Sequence, residues 1–220
     1  MASKELFDAD SSLRDAQGLV AYCARVSNPS NQMNSDTNTK LIKYLMKHKH
    51  WSPLEMVSAC LEIETTRDIA RQILRHRSFS FQEFSQRYAD PTKDLDFEVR
   101  EARLQDPKNR QNSIKLDMSD EYEGGLQDRW YEVQQRVIDE ATMAYNWAID
   151  NGIAKEQARA VLPEGNTVSR MYVNGTLRSW VHYIELRGAN GTQQEHIDIA
   201  HAVAKVIAEI FPISLQNESV

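Results

Sequence analysis

Residues 56–88 read MVSACLEIETTRDIARQILRHRSFSFQEFSQRY, and the period of their apolar residues changes twice. From Met56 to Thr66 the chain alternates. Met56, Ser58, Cys60, Glu62 and Glu64 share one side, and Val57, Ala59, Leu61 and Ile63 share the other. A period of two predicts a half-buried strand. From Arg67 to His76 the apolar residues Ile69, Ala70, Ile73 and Leu74 take helical spacing. From Ser78 to Tyr88 the aromatic residues return to a period of two. Strand, helix and strand in so short a stretch predict an α+β fold.

The flanking sequence adds helices. Ser12 and Asp15 resemble a capping box ahead of Leu13, Ala16, Val20, Cys23 and Ala24. After the polar loop 28–38, a short helix carries Leu41, Tyr44 and Leu45 on one face. Residues 90–117 are charged and polar, and read as a surface excursion with short strand or loop pieces. The longest helix starts at Ser119, with a seam of Tyr122, Leu126, Trp130, Val133, Val137, Ala141, Ala144 and Ala148, and Asn151-Gly152 ends it. At 1.5 Å per residue it spans roughly 45–50 Å, so part of the seam is expected to meet another subunit. A short helix over 155–161 and a strand over 167–173, closed by the turn signal Asn174-Gly175, come next. A helix over 176–186 follows, with Leu177, Trp180, Val181 and Ile184 apolar. The last helix starts at a capping box of Thr192 and Glu195, carries Ile197, Ala200, Ala204, Ile207 and Phe211, and closes at Pro212. The expectation is a helix-rich α+β single domain over 1–220, around a modest, mainly antiparallel sheet.

Composition narrows the function. Hydrophobic residues make up 41% of the 220 and charged residues 26%, which describes an ordinary globular chain. The net charge of -6 argues against nucleic acid and a polybasic membrane surface as partners. No stretch approaches the roughly 18 apolar residues of a membrane span, and residues 1–10 lack the pattern of a signal peptide. Cys23 and Cys60 match no metal spacing, and no H-E-x-x-H occurs. No catalytic metal is expected, and the two cysteines read as buried, reduced thiols of a cytoplasmic protein.

The basic residues are segregated. Residues 51–92 contain no Lys but hold Arg67, Arg71, Arg75, Arg77 and Arg87. Residues 156–204 repeat the pattern with Arg159, Arg170, Arg178 and Arg187. A guanidinium is a planar fork suited to phosphate, carboxylate and planar rings. Arg67, Arg71 and Arg75 stack at helical spacing, so protein carboxylates or a ligand phosphate must neutralise them. In the following strand Glu83, Ser85 and Arg87 would point to one side, next to Arg75 and Arg77. A single-strand nucleic-acid module would mix Arg with Phe79, Phe81 and Phe84 in this way, but Glu83 and the missing Lys count against it. A metal-dependent nucleotide hydrolase would need clustered carboxylates near these tracts, and none is evident.

Arg75-His76-Arg77, seven residues, then Ser85-Gln86-Arg87 resembles the R-H-R-x7-S-x-R signature of flavin-dependent thymidylate synthases, the ThyX family. Ala24-Arg25-Val26-Ser27 and His50-Trp51-Ser52-Pro53-Leu54-Glu55 resemble further segments of that family. So do Gln157-Ala158-Arg159 with Leu162-Pro163, and Leu177-Arg178-Ser179-Trp180, His182 and Leu186-Arg187. The resemblance implies an α+β homotetramer with active sites at subunit interfaces. It implies methylation of dUMP to dTMP, with methylenetetrahydrofolate as carbon donor, NADPH as reductant and FAD as hydride carrier.

By the same resemblance, Gln72, Arg75, Glu83, Ser85, Gln86, Arg87, Arg159 and Arg187 would contact dUMP. Ser52, Arg75, His76, Arg77, Ser78, Glu83, Thr176, Arg178 and His182 would contact FAD. His50 would line the flavin and folate side, and Arg187 would be catalytic at the uracil ring. Thr176 stands where the family usually has Asn, keeping a hydroxyl and losing an amide. Ser85 as a covalent nucleophile is disfavoured, because its strand offers it no general base.

Overall fold

The computed structural model describes residues 15–211. The element order is α1 (Ala16–Ala24), α2 (Asn38–Lys47), a 3-10 turn at Ser52–Met56, β1 (Ser58–Thr66), α3 (Arg67–Ile73) and β2 (Ser80–Glu83). Then come the single turn α4 (Pro91–Asp94), β3 (Arg103–Gln105), β4 (Ser113–Lys115), α5 (Glu121–Asp150), α6 (Lys155–Ala158), β5 (Val168–Thr176), α7 (Leu177–Arg187) and α8 (Gln194–Ile210).

β5 is the middle strand of an antiparallel sheet ordered β1-β5-β2, and β3 pairs only with β4. The α+β expectation with a small antiparallel sheet therefore holds. The alternation read in β1 also holds, since Ile63 is buried while Cys60, Glu62 and Glu64 are exposed. β5 follows the same rule. Ser169, Met171, Val173 and Gly175 face the core, and Tyr172 and Asn174 face out. Ile63, Met171 and Val173 meet Ile69, Ile73, Leu177, Trp180, Val181, Ala200 and Ile207 in one apolar cluster, so α3, α7 and α8 lie over one face of the sheet.

Several expected details change. The first helix is capped by the Asp15 side chain, which accepts from Gly18 N; Ser12 and Leu13 lie outside the described residues, as does Pro212. α2 buries Ile42, Leu45 and Met46, while Tyr44 is exposed. Cys60 is exposed, because it sits on the outer side of β1. Asn174-Gly175 is no turn. The strand runs on to Thr176, with Gly175 opposite Ala59. Gly175 is needed for space, because a Cβ there would lie 2.3 Å from Cδ1 of the Phe79 ring. That ring packs edge-on against Trp180 at 4.6 Å, which fixes the loop between α3 and β2.

α5 also departs from its expected seam. Ala141 and Ala148 are buried, but the buried row is completed by Gln134, Ile138 and Tyr145. Tyr122, Trp130 and Val137 are exposed. The N-terminal half of the helix is held by amides rather than by a core. Gln134 accepts from Arg100 N and donates to Arg100 O, and Gln127 accepts from Ala102 N. A helix held on one side by amides leaves its other apolar residues without cover in the single chain.

Gly175→Ala should push Phe79 off Trp180 and destabilise the protein by about 1–3 kcal/mol. A thermal melt should show a fall of several degrees. An unchanged melting temperature would mean that the Phe79 ring has room to move.

Candidate active site

The arginines of the first tract separate into two groups by their partners. Arg67 lies within 3.4 Å of Glu83 and 3.7 Å of Glu164, and Arg71 is paired with Glu164. The hydrogen bond from Arg71 holds the Glu164 carboxyl below the usual range. Protein carboxylates thus neutralise the first two arginines of the stripe. Arg75 drops out of it, because α3 stops at Ile73 with Leu74 as its cap. Arg75 and Arg77 are exposed and have no carboxylate partner among the described residues. Arg159 likewise has none.

The turn after α3 places His76 against α7. Arg187 Nε donates to His76 Nε2 at 2.8 Å, and the His76 ring meets the Tyr183 ring at 5.0 Å. Burial and the Arg187 charge both push the His76 pKa below its ordinary value. The neutral ring therefore carries its proton on Nδ1 and accepts at Nε2. One N–H of Arg187 is used in this bond, and the two Nη groups of its fork are left.

Behind His76 lies a buried polar pair. His196 Nε2 meets Tyr183 Oη at 3.0 Å, and His196 Nδ1 meets Gln72 Oε1 at 3.2 Å. Burial, with the nearby Arg187 and His76, pushes the His196 pKa down to about 4. Burial raises the Tyr183 phenol above its ordinary value.

β2 ends at Glu83, and the expected common face of Glu83, Ser85 and Arg87 does not form. Glu83 turns inward and accepts from Ser169 Oγ at 2.8 Å as well as from Arg67. The ladder closes with Phe84 N donating to Arg170 O, and the Ser85 carbonyl then accepts from Tyr88 N and Ala89 N. A turn at Ser85 breaks the period of two. Arg87 is directed at Glu156, 3.8 Å away, while Lys155 donates to Tyr88 O, so this turn abuts α6 and the segment bearing Arg159. The Ser85 hydroxyl has no hydrogen-bond partner among the described residues, and so none of them acts as a base on it. Gln86 is buried, and its Nε2 also lacks a partner.

A third group surrounds the start of α7. Thr176 Oγ1 caps the helix by accepting from Ser179 N, so its hydroxyl already has a structural task. Ser179 Oγ donates to the carbonyl of Ser78. Arg178 is paired with Glu55, next to the exposed Ser52. The His182 ring stands edge-on to Trp51 at 4.6 Å, and exposed His50 lies 6.0 Å from the Tyr44 ring. No hydrogen bond, ion pair or ring contact joins the Arg87–Glu156 pair to the Arg187–His76 pair among the described residues.

The sequence motifs single out neither Tyr183, Gln193 nor His196, and give Glu195 only as part of a helix cap. One signal was present. His196 occupies the apolar row that Ala200, Val203, Ala204 and Ile207 continue along α8.

A family model described as "Thymidylate synthase complementing protein" matches residues 9–213. The chain belongs to this family. A relative in the thymidylate synthase complementing protein family is the probable flavin-dependent thymidylate synthase of Paramecium bursaria Chlorella virus 1. It is 48% identical over 197 residues, covering 90% of this chain and 88% of that one. The flavin-dependent thymidylate synthase of Synechocystis sp. is 48% identical over 196 residues, covering 89% and 86%. A solved structure of a UMP/dUMP methylase, PolB from Streptomyces cacaoi bound with 5-Br dUMP, superposes with a TM-score of 0.73. It is 26% identical and covers 90% of this chain and 87% of that one.

The neutral histidines make the folded protein sensitive to acid. Below its ordinary pKa of 6.5 a histidine in the unfolded chain binds a proton that buried His196 refuses until about pH 4. Stability should therefore fall as pH drops from about 6.5 towards 4, by on the order of 3 kcal/mol from His196. Denaturant titrations at several pH values should show a shallower fall for His196→Gln than for the parent. Equal slopes would show that His196 titrates normally.

Proposed function

We propose that this protein is a flavin-dependent thymidylate synthase that methylates dUMP to dTMP. Methylenetetrahydrofolate is the carbon donor and NADPH the reductant. The single observation that carries this reading is the set of guanidiniums in the two Lys-free tracts left without carboxylates among the described residues. Arg75, Arg77, Arg159 and Arg187 lie in the chain of a family whose relatives are named for this activity.

Anionic ligands fit these residues. dUMP brings a dianionic phosphate and FAD a pyrophosphate, and Arg75 and Arg77 are exposed, cationic and unneutralised. In this reading Gln72, Arg75, Glu83, Ser85, Gln86, Arg87, Arg159 and Arg187 serve dUMP. Ser52, Arg75, His76, Arg77, Ser78, Glu83, Thr176, Arg178 and His182 serve FAD, with His50 on the folate side. The unpartnered Gln86 amide supports this, because a buried donor without an acceptor costs about 1–3 kcal/mol. A nucleotide oxygen would remove that cost.

When bound, FAD supplies the hydride that reduces the transferred carbon to a methyl group. The protein's own work is to hold and polarise uracil. Arg187 has its Nε fixed on His76, so its Nη groups point as a rigid fork. Set against the N3 and O2 edge, this fork stabilises the ring as its N3 proton leaves and makes C5 a better nucleophile. His76 stays neutral beside that cation, which leaves its Nδ1–H for the cofactor.

The exposed Tyr122, Trp130 and Val137 of α5 support assembly into a homotetramer with shared active sites. Such assembly would let the Arg87 and Arg187 groups, which share no contact among the described residues of one chain, serve one site. Free Cys23 and Cys60 fit a reducing cytoplasm.

The purified protein should be yellow or take up FAD, and NADPH should bleach the flavin absorbance. A colourless protein without FAD affinity would refute the reading. Arg187→Ala should retain FAD and lower dTMP formation by ~100-fold or more; normal turnover would remove Arg187 from its role. Sedimentation equilibrium should give four times the chain mass, and a monomer would contradict a shared site.

A further inference from the structure

Outside the arginine groups, one largely shielded run of side chains has a fixed direction. It starts at a carboxylate. Glu195 has only acceptor atoms, and its Oε1 takes a hydrogen bond from Arg103. Its Oε2 lies 2.9 Å from Gln193 Nε2, so Gln193 must donate there. Gln193 then presents Oε1 to Gln72 Nε2 at 2.9 Å. Gln72 is left with Oε1 towards His196 Nδ1 at 3.2 Å, so that nitrogen carries the proton. His196 Nε2 is bare and accepts from the Tyr183 hydroxyl at 3.0 Å. The polarity of each link follows from the one before it, and the first cannot be reversed.

Glu195 was expected to close a capping box with Thr192. Instead, α8 begins after Gln193 with no side-chain cap, and Glu195 is turned to Arg103 and Gln193. Arg103 and Glu195 are both largely shielded from solvent, with side-chain exposures of 13% and 16%. At the other end Tyr183 and His196 are buried. Neither end of the run is free to turn.

We propose that Glu195 and His196 are positioning residues for the nucleotide, holding the Gln72 amide in one orientation. This rests on the reading that Gln72 contacts dUMP. Gln72 spends one N–H on Gln193 and one lone pair on His196. Its second N–H stays on a defined side, where it can donate to an acceptor oxygen of the nucleotide. An amide free to flip would present its carbonyl there half the time and repel the same oxygen.

Glu195→Gln tests this with almost no change of shape. A glutamine can donate as well as accept, so every link can reverse. Gln193 and Gln72 would flip, and His196 would move its proton to Nε2 and donate to Tyr183. In protein labelled with 15N-histidine, the parent should show His196 as the Nδ1–H tautomer, and the variant a mixture of both. The dissociation constant for dUMP should rise at least about twofold, because only the fraction of the variant with Gln72 in its parent orientation binds. FAD occupancy and kcat at saturating dUMP should stay close to the parent, while the melting temperature should fall because Arg103 loses its carboxylate. His196→Asn keeps a donor near the Nδ1 position and should hold dUMP better than His196→Gln. A parent in the Nε2–H tautomer, or a variant with unchanged dUMP affinity, would overturn the proposal. Gln72→Leu separates the two ways of failing. If it weakens dUMP while Glu195→Gln does not, the nucleotide contact stands and the positioning role is wrong. If it too leaves dUMP affinity unchanged, the assignment of Gln72 to the nucleotide is wrong, and the positioning role falls with it.

Discussion

Protein carboxylates hold some of the arginines of the two Lys-free tracts and leave others unpaired, and that partition decides where anions can bind. Arg67 and Arg71 take Glu83 and Glu164, Arg100 takes Asp68, Arg103 takes Glu195, and Arg178 takes Glu55. Within the two Lys-free tracts, Arg75, Arg77, Arg159 and Arg187 are left without a carboxylate among the described residues. A protein with net charge -6 thereby keeps a local positive field where anions can be held. The partition is geometric. α3 ends one turn early, and so Arg75 never reaches the acids that serve the arginines beneath it.

The same shortened helix decides the state of the histidines. Once the chain leaves α3 at Ile73, His76 lies against Tyr183 and takes the Arg187 Nε–H. A cation beside a half-buried imidazole keeps it neutral, and only a neutral imidazole can accept that bond. Phe79, seated over Gly175 and against Trp180, holds the following loop in place. Packing at the sheet edge therefore reaches the polar groups that are to act on uracil.

Much of this was legible along the chain, and the limits are instructive. β1 followed its alternation because one face of it is buried and the other is wet. The helical reading of residues 67–76 was right for the buried Ile69, Ala70 and Ile73. It failed at the last turn, where Leu74 fits the helical spacing but is exposed and caps the helix. The shared side of Glu83, Ser85 and Arg87 failed for a similar reason. Period two holds only while ladder bonds last, and they stop at Phe84. The α5 seam misled because apolar spacing marks a face to be covered without naming what covers it. The capping box at Thr192 misled because Arg103, distant in sequence, competes for Glu195.

The sequence by itself determined the main helices and strands, the two Arg tracts and the family. Each of these is written in local periodicity or in residues close together along the chain. Tertiary structure alone decided which arginines are spent on carboxylates, which tautomer each buried histidine takes, and which way the Gln72 amide faces. Those outcomes depend on pairs such as Arg187 with His76, Gln72 with Gln193 and Arg103 with Glu195, whose members are far apart in sequence. A hydrogen bond has a direction only once both of its ends are in place, and folding supplies the second end.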